Sequence, residues 1–279
     1  MPALDWEKLA RMGLEEDIGP GDITTELTIP DALTGQMTLR ARQALVVCGL
    51  PITEAVYGAL SAEVRTVLKC HEGDRCQPGD VLAQVIGPVK SLLMGERVVL
   101  NVLTWLGGIA TITREIVDLV SDLDVKILDT RKTRPGQRVY EKYAVKTGGG
   151  HNHRFGLFDA VLVKDNHLAA QGGVEKALQD IKRRAPQGMF IEVEVDHFDQ
   201  IPAALEANAD GILLDNMAVD EVRRAVVYID HRVSVEASGG ITPGNLRAYA
   251  ETGVDGVSLG YLTHSAPHVD IGADWGTTL

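Results

Sequence analysis

The sequence predicts an α/β protein in which a parallel α/β barrel of six or seven strands follows a smaller mixed α/β region. Two observations carry this. After Val120 six short apolar runs recur, at Val125–Asp129, Ala160–Lys164, Phe190–Val195, Gly211–Asp215, Val233–Ala237 and Val254–Leu259. Helical patterns separate most of them, at Val174–Arg184, Phe198–Ala207, Val219–Ile229 and Asn245–Thr252. Buried, β-branched strands alternating with helices imply a parallel sheet joined by right-handed crossovers. An eight-stranded barrel needs about 250 residues, and roughly 140 hold these runs, which leaves six or seven strands.

The earlier elements follow in order. Leu4 to Glu16 carries apolar residues near helical spacing and predicts an amphipathic helix, stopped by Asp17-Ile18-Gly19-Pro20-Gly21-Asp22. Thr38–Gly49 reads as a strand, Pro51–Leu60 as a short helix and Val64–Leu68 as another strand. Two turn signals between His71 and Val85 predict hairpins. These resemble the hairpins of lipoyl and biotinyl carrier domains but lack a lysine at a hairpin tip, so a small packing sheet is expected instead. Leu92–Val120 reads as a largely buried helix with a soft interruption at Gly107-Gly108.

Composition narrows the function. A length of 279 residues allows one or two domains, and 45% apolar with 24% charged residues describes an ordinary soluble globular protein. The net charge of −12 argues against general binding of nucleic acid or anionic membrane. No apolar run approaches the ~18 residues of a membrane span, and the first twenty residues have no signal-peptide pattern, so a cytoplasmic protein is expected. Cys48, Cys70 and Cys76 are too few and too irregular for a disulfide framework or a C-x-x-C zinc site, and reduced, mostly buried thiols are expected.

Charge is not spread evenly. Lys126 to His167 holds nine of the 27 lysines and arginines, with only four of the 39 acids, so it carries about +5 and the remainder about −17. A cationic island in an acidic chain points to a small, highly charged anion as ligand, because nucleic acid needs a wider basic face. Thr130, Thr133, Pro135 and Gly148-Gly149-Gly150 interrupt the cations, which argues against a plain solvated helix face.

In parallel α/β barrels the site lies at the carboxyl ends of the strands. Here those ends carry Asp129, Lys164, Glu194, Asp215, Ser238 and Gly260. Glu194 and Asp215, from neighbouring strands, suit Mg²⁺ shared with substrate oxygens, or else pair with Lys164 or Arg154 as structural ions. Ser238-Gly239-Gly240-Ile241-Thr242 before a helix offers free backbone N–H groups for a phosphate, with Gly260 as an opposite half of the cradle. The combination implies chemistry on a phosphorylated or pyrophosphorylated substrate with a second anionic reactant.

Six ordered segments then carry a resemblance. They are Asp129-Thr130-Arg131-Lys132-Thr133-Arg134-Pro135-Gly136, Gly148 to Leu157 (GGGHNHRFGL), Lys164-Asp165-Asn166-His167, Glu192-Val193-Glu194-Val195, Leu214-Asp215-Asn216-Met217 and Glu236 to Ile241 (EASGGI). As a set they resemble the signature segments of the quinolinate phosphoribosyltransferases. Gly95-Glu96-Arg97, Leu100-Asn101 and Gly19 to Thr24 match that family's N-terminal segments, so the resemblance spans nearly the whole chain. Gly107 and Thr147 depart from the family's frequent serine and cysteine without changing a charge.

The resemblance implies an N-terminal α/β sandwich over residues 1–107, an incomplete α/β barrel over 108–264, and a tail, 265–279, packed back on the first domain. It implies phosphoribosyl transfer from phosphoribosyl pyrophosphate to quinolinate with decarboxylation, with Mg²⁺ as cofactor. Arg131, His153, Arg154 and Lys164 would hold the quinolinate carboxylates, with Lys132 serving the anionic site beside them. Glu194 and Asp215 would position the ribose hydroxyls and Mg²⁺, and Ser238, Gly239, Gly240 and Gly260 the 5′-phosphate. The expected catalytic residues are Lys132, Lys164, Glu194 and Asp215. Arg97 would reach the partner's site in a homodimer or a multiple of one. Two rivals stay open: a related transferase acting on another pyridine or a molybdenum-associated substrate, and a barrel that only binds a phosphorylated effector.

Overall fold

The structure is a computed structural model that describes residues 2–164, 167, 170 and 174–276. Asp165 and Asn166 of the third signature segment, and residues 277–279 of the expected tail, lie outside the described residues. The chain divides into two compact units, Met1–Arg114 with Val139–Gly149 and Ala266–Leu279, and Glu115–Arg138 with Gly150–Ser265.

The first unit is built on a four-stranded antiparallel sheet. Its strands are β1 (Thr34–Ala41), β3 (Arg65–Leu68), β5 (Val81–Pro88) and β12 (Ile271–Gly276), in the order β12-β1-β5-β3. Two short strands, β2 (Leu45–Val46) and β4 (Arg75–Cys76), pair separately. Thr38–Gly49 is therefore two strands in two sheets. The expected hairpins are long-range as well, because β4 leaves its sequence neighbours to pair with β2. Met37, Leu39 and Ala41 alternate inward along β1 and are fully buried, the period-two pattern of a half-buried strand.

Helices α1 (Trp6–Ile18), α2 (Ile23–Thr28), α3 (Pro51–Leu60) and α4 (Val89–Asp118) complete this unit apart from one segment. Asp5 caps α1 by accepting from Lys8 N–H at 2.8 Å. Among the described residues α4 is the one helix long and apolar enough to cross a membrane, and 67% of its most apolar window is buried inside the protein. The expected interruption at Gly107-Gly108 is absent, since α4 runs unbroken through both. The glycine has another reason to be there. A Cβ on Gly108 would sit 2.0 Å from the Pro267 carbonyl oxygen, so the backbone of the returning tail lies directly against the helix.

Helix α5 (Arg138–Thr147) belongs almost wholly to the first unit, although the sequence placed it within the barrel. Its anchors are distant in sequence. Tyr140 and Tyr143 pack their rings on Trp6 at 5.3 and 5.9 Å between centroids. The Tyr140 hydroxyl donates to the Asp5 carbonyl at 2.6 Å and the Tyr143 hydroxyl to the Glu72 carboxylate at 2.8 Å. The sequence reading named no helix in this connection, and a local pattern carries no information on which distant surface a helix buries.

The second unit is a six-stranded parallel sheet. Strands β6 (Lys126–Leu128), β7 (Val161–Val163), β8 (Ile191–Val195), β9 (Gly211–Asp215), β10 (Ser234–Ser238) and β11 (Gly256–Ser258) lie in the order β6-β11-β10-β9-β8-β7. From β7 to β11 each new strand adds beside the last, through α6 (Val174–Arg184), α7 (Ile201–Glu206), α8 (Val219–Ile229) and α9 (Leu246–Ala250). The strands β6 and β7 do not pair. In that gap Leu128 bridges only to His151, where the chain re-enters the unit. The barrel is thus incomplete, as its length predicts.

Candidate active site

Inward-facing residues of a parallel barrel stack in layers, because register ties each strand to the next and side chains alternate with period two. Glu194 pairs in register with Leu213 and Leu213 with Glu236, so both carboxylates stand in one layer. One step toward the carboxyl ends, Asp215 is level with Ser238. Together with loop residues these line a cavity of about 470 Å³ made entirely by the second unit. Its wall includes Arg131, Lys132, His153, Arg154, Lys164, Glu194, Asp215, Ser238, Gly239 and Gly240.

The cationic side comes from two loops. Arg131 and Lys132 follow β6, and Arg138 holds that loop by donating to Thr133 Oγ1 at 2.9 Å, the Phe155 carbonyl at 3.0 Å and the Arg131 carbonyl at 3.4 Å. Asp159 folds the second loop by accepting from the N–H groups of Phe155 at 2.6 Å and Gly156 at 2.9 Å. Arg154 donates to the Ala160 carbonyl at 3.3 Å. Burial first, and then the like charge of Arg131, lower the guanidinium from its usual range while leaving it charged. Lys164, at the end of β7, forms an ion pair with Glu194.

The phosphate-like loop has a backbone that glycine alone accepts comfortably. Gly239 has φ +88°, and a Cβ there would lie 2.2 Å from Asn216 Oδ1 and 2.6 Å from its backbone nitrogen. Asn216 closes the turn by donating from N–H to the Ser238 carbonyl at 2.9 Å and from Nδ2 to Asp215 Oδ2 at 2.7 Å. The helix after this loop, α9, has only five residues, and Asn245 accepts from Thr242 N–H at 2.7 Å ahead of it. The loop's own N–H groups, more than a helix dipole, are what it offers an anion.

Beneath the cations lies a second, acidic group. His153 Nε2 is 3.1 Å from Glu192 Oε2 and 3.6 Å from Glu236 Oε2, and Ser258 donates its hydroxyl to the other oxygen of Glu236. Burial, and then the charge of Glu192, push the Glu236 carboxyl up to about 7. The backbone N–H of His153 donates to the fully buried Asp129 at 2.9 Å.

Comparison with known proteins follows from this geometry. Residues 22–107 match the model of the quinolinate phosphoribosyl transferase N-terminal domain, and residues 109–274 that of its C-terminal domain. The chain belongs to the quinolinate phosphoribosyltransferase family. It is 42% identical over 274 residues to a probable nicotinate-nucleotide pyrophosphorylase [carboxylating] of Bacillus subtilis, covering 98% of this chain and 94% of the relative. It is also 42% identical to the nicotinate-nucleotide pyrophosphorylase [carboxylating] of Mycobacterium leprae, covering 95% of each. The solved nicotinate-nucleotide pyrophosphorylase of Francisella tularensis superposes with a TM-score of 0.94 at 35% identity, over 97% of this chain and 96% of that one.

Ten of the twelve residues expected at a quinolinate phosphoribosyltransferase site line the cavity. The other two do not. Gly260 instead leaves room for the Lys132 stem, since a Cβ would meet Lys132 Cδ at 2.8 Å. Arg97 lies in the first unit on α4, where its side chain is 69% exposed and 3.6 Å from Glu96. The sequence reading passed over Glu192, Glu236 and Ser258. Alternation would have found the first two, because Glu192 shares a strand face with Glu194 and Glu236 with Ser238. Ser258 precedes Gly260 by the same two-residue step.

Proposed function

We propose that this protein transfers the phosphoribosyl group of phosphoribosyl pyrophosphate to the ring nitrogen of quinolinate, with loss of the 2-carboxylate. The products are nicotinate mononucleotide, pyrophosphate and carbon dioxide, which makes the reaction a step in NAD biosynthesis. Family membership supports this reading. The observation that carries it is that one cavity gathers Arg131, Arg154 and Lys164 together with Glu194, Asp215 and the Ser238–Gly240 loop.

Arginines and a lysine converging from two loops match a dicarboxylate, whose charges a bidentate fork offsets. Ser238, Gly239 and Gly240 receive the 5′-phosphate, and Lys132 serves the pyrophosphate side. Glu194 and Asp215 orient the ribose hydroxyls and stabilise the positive charge that develops at the anomeric carbon as pyrophosphate departs. Lys164 holds Glu194 in place until substrate arrives. Once the ring nitrogen is alkylated, the carbanion left by decarboxylation is stabilised by the adjacent cationic nitrogen, so the protein supplies positioning more than proton transfer.

The donor set fits Mg²⁺. Glu194 and Asp215 are oxygen ligands at the cavity wall, and Mg²⁺ takes one or two carboxylates and completes its shell with substrate oxygens and water. When bound, the ion neutralises charge on the departing pyrophosphate. We also propose a homodimer in which the exposed Arg97 enters the partner's site, and a cytoplasmic location, which the three free thiols suit.

The test is an assay of purified protein with phosphoribosyl pyrophosphate, Mg²⁺ and either quinolinate or nicotinate. Mononucleotide and carbon dioxide from quinolinate alone support the reading. Product from nicotinate, or from neither acid, overturns it.

A further inference from the structure

His153, Glu192, Glu236 and Ser258 form a buried group that the reaction as written does not use. His153 and the two carboxylates bring three donor atoms within 4.8 Å of one another, a spacing that suits a metal triad. The hydrogen bonding decides otherwise. The backbone N–H of Arg154 donates to His153 Nδ1 at 2.7 Å, so Nδ1 is the unprotonated nitrogen and Nε2 carries the hydrogen. A protonated Nε2 has no lone pair for a metal. It donates to Glu192 at 3.1 Å, with the carboxylate of Glu236 beside it at 3.6 Å.

We propose that Glu192 and Glu236 are positioning residues that hold His153 as its Nε2–H tautomer, and through Nδ1 fix the backbone that aims Arg154 at quinolinate. The segment is clamped at three points: His153 N–H on Asp129 at 2.9 Å, the His153 ring on the carboxylate pair, and Arg154 N–H on the ring at 2.7 Å. Ser258 in turn holds Glu236, donating its hydroxyl to the far oxygen of that carboxyl. Both ring nitrogens of His153 are thus engaged by the protein itself.

The inference rests on the assignment of Arg154 to quinolinate, and three measurements on the full-length protein separate the two. The first is the nitrogen-15 spectrum of histidine-labelled wild-type protein at neutral pH, with His153 assigned by comparison with His153→Gln. A neutral Nε2–H ring is expected; an imidazolium or an Nδ1–H ring overturns the proposal without any variant having to fold. The second is kinetic. Glu236→Ala should raise the KM for quinolinate roughly tenfold, with kcat and the KM for phosphoribosyl pyrophosphate within about threefold, and Glu236→Gln should recover most of the loss. An unchanged quinolinate KM in Glu236→Ala, or equal loss in both variants, overturns it. The third is Arg154→Ala. If that variant alone keeps its quinolinate KM, the pocket assignment fails and takes this inference with it; if it loses quinolinate while Glu236→Ala does not, only the positioning role fails.

Discussion

The cavity has two sides built on opposite terms. Its cationic rim of Arg131, Lys132, Arg154 and Lys164 is exposed or half-buried, and Glu194 pairs with it through Lys164. Its acidic floor of Glu192, Glu236, His153 and Ser258 is mostly buried, and its hydrogen bonds close on one another. On the proposed function the rim takes up a di-anion and a pyrophosphate, and charge kept in reserve suits that, because pairs satisfied in advance would have to be broken on binding. A floor shut away from water has no such freedom, since each unpaired polar group there costs about 1–3 kcal/mol. On the proposed function the rim residues are the ones to meet substrate and the floor residues the ones to hold others in place.

Breaking the rim should have the largest effect. Arg154→Ala or Lys164→Ala is expected to lower kcat/KM for quinolinate by about a hundredfold or more, as loss of one partner in a desolvated charge contact does. Saturation by quinolinate at wild-type concentrations would dissolve the distinction. Arg97→Ala should be inactive alone, yet recover part of the activity after subunit exchange with Lys164→Ala, because a hybrid pair then holds one intact site. No recovery under conditions that exchange subunits would rule out the proposed reach of Arg97 into the partner's site.

The loop between rim and floor comes next. Gly239→Ala forces a Cβ into the Asn216 backbone at a positive φ, and should raise the KM for phosphoribosyl pyrophosphate roughly tenfold, in line with strain of about 1–3 kcal/mol. Quinolinate binding, measured directly, should change little.

The smallest effect sharpens the comparison from the floor. The Glu236 carboxyl titrates at about 7 in the folded chain against an ordinary 4.5, so the folded state binds the extra proton between those values. Its contribution to stability is therefore present below about pH 4.5, falls as pH rises to about 7, and is level above. Glu236→Gln cannot ionise, and its melting temperature relative to wild type should climb across that window. A difference that stays flat would mean that Glu236 ionises as a solvated acid does.

The mouth was legible because an apolar run that stops on Asp129, Lys164, Glu194 or Asp215 announces a strand end, and the rim's Arg131, Lys132 and Arg154 stood out in the cationic stretch from Lys126 to His167. The floor was readable in principle from the same runs, since Glu192 and Glu236 stand two residues before Glu194 and Ser238. An acid inside an apolar run reads as a fault in the pattern until the partner that satisfies it is known, and Ser258 and His153 come from other elements. The place of α5 was not legible, because Trp6 and Glu72, which hold it, lie more than sixty residues away in sequence. The tight seat of Gly108 was hidden for the same reason, its neighbour Pro267 lying more than half the chain further on.

One feature of the first sheet bears on how the protein is made. Strand β12 pairs along β1 from Gln36↔Gly276 to Ala41↔Ile271, and Asp274 joins Arg40 and Arg42 there. On the ribosome β1 is complete long before β12 exists, and the whole second unit is synthesised in between. Throughout that interval the nascent chain carries an open strand edge, a template for pairing with a neighbouring polypeptide. Arg40, which also donates to the Gly79 carbonyl at 3.0 Å, and Arg42, just past β1, put charge along that edge before Asp274 is made, and charge on an open edge disfavours pairing with a neighbouring chain.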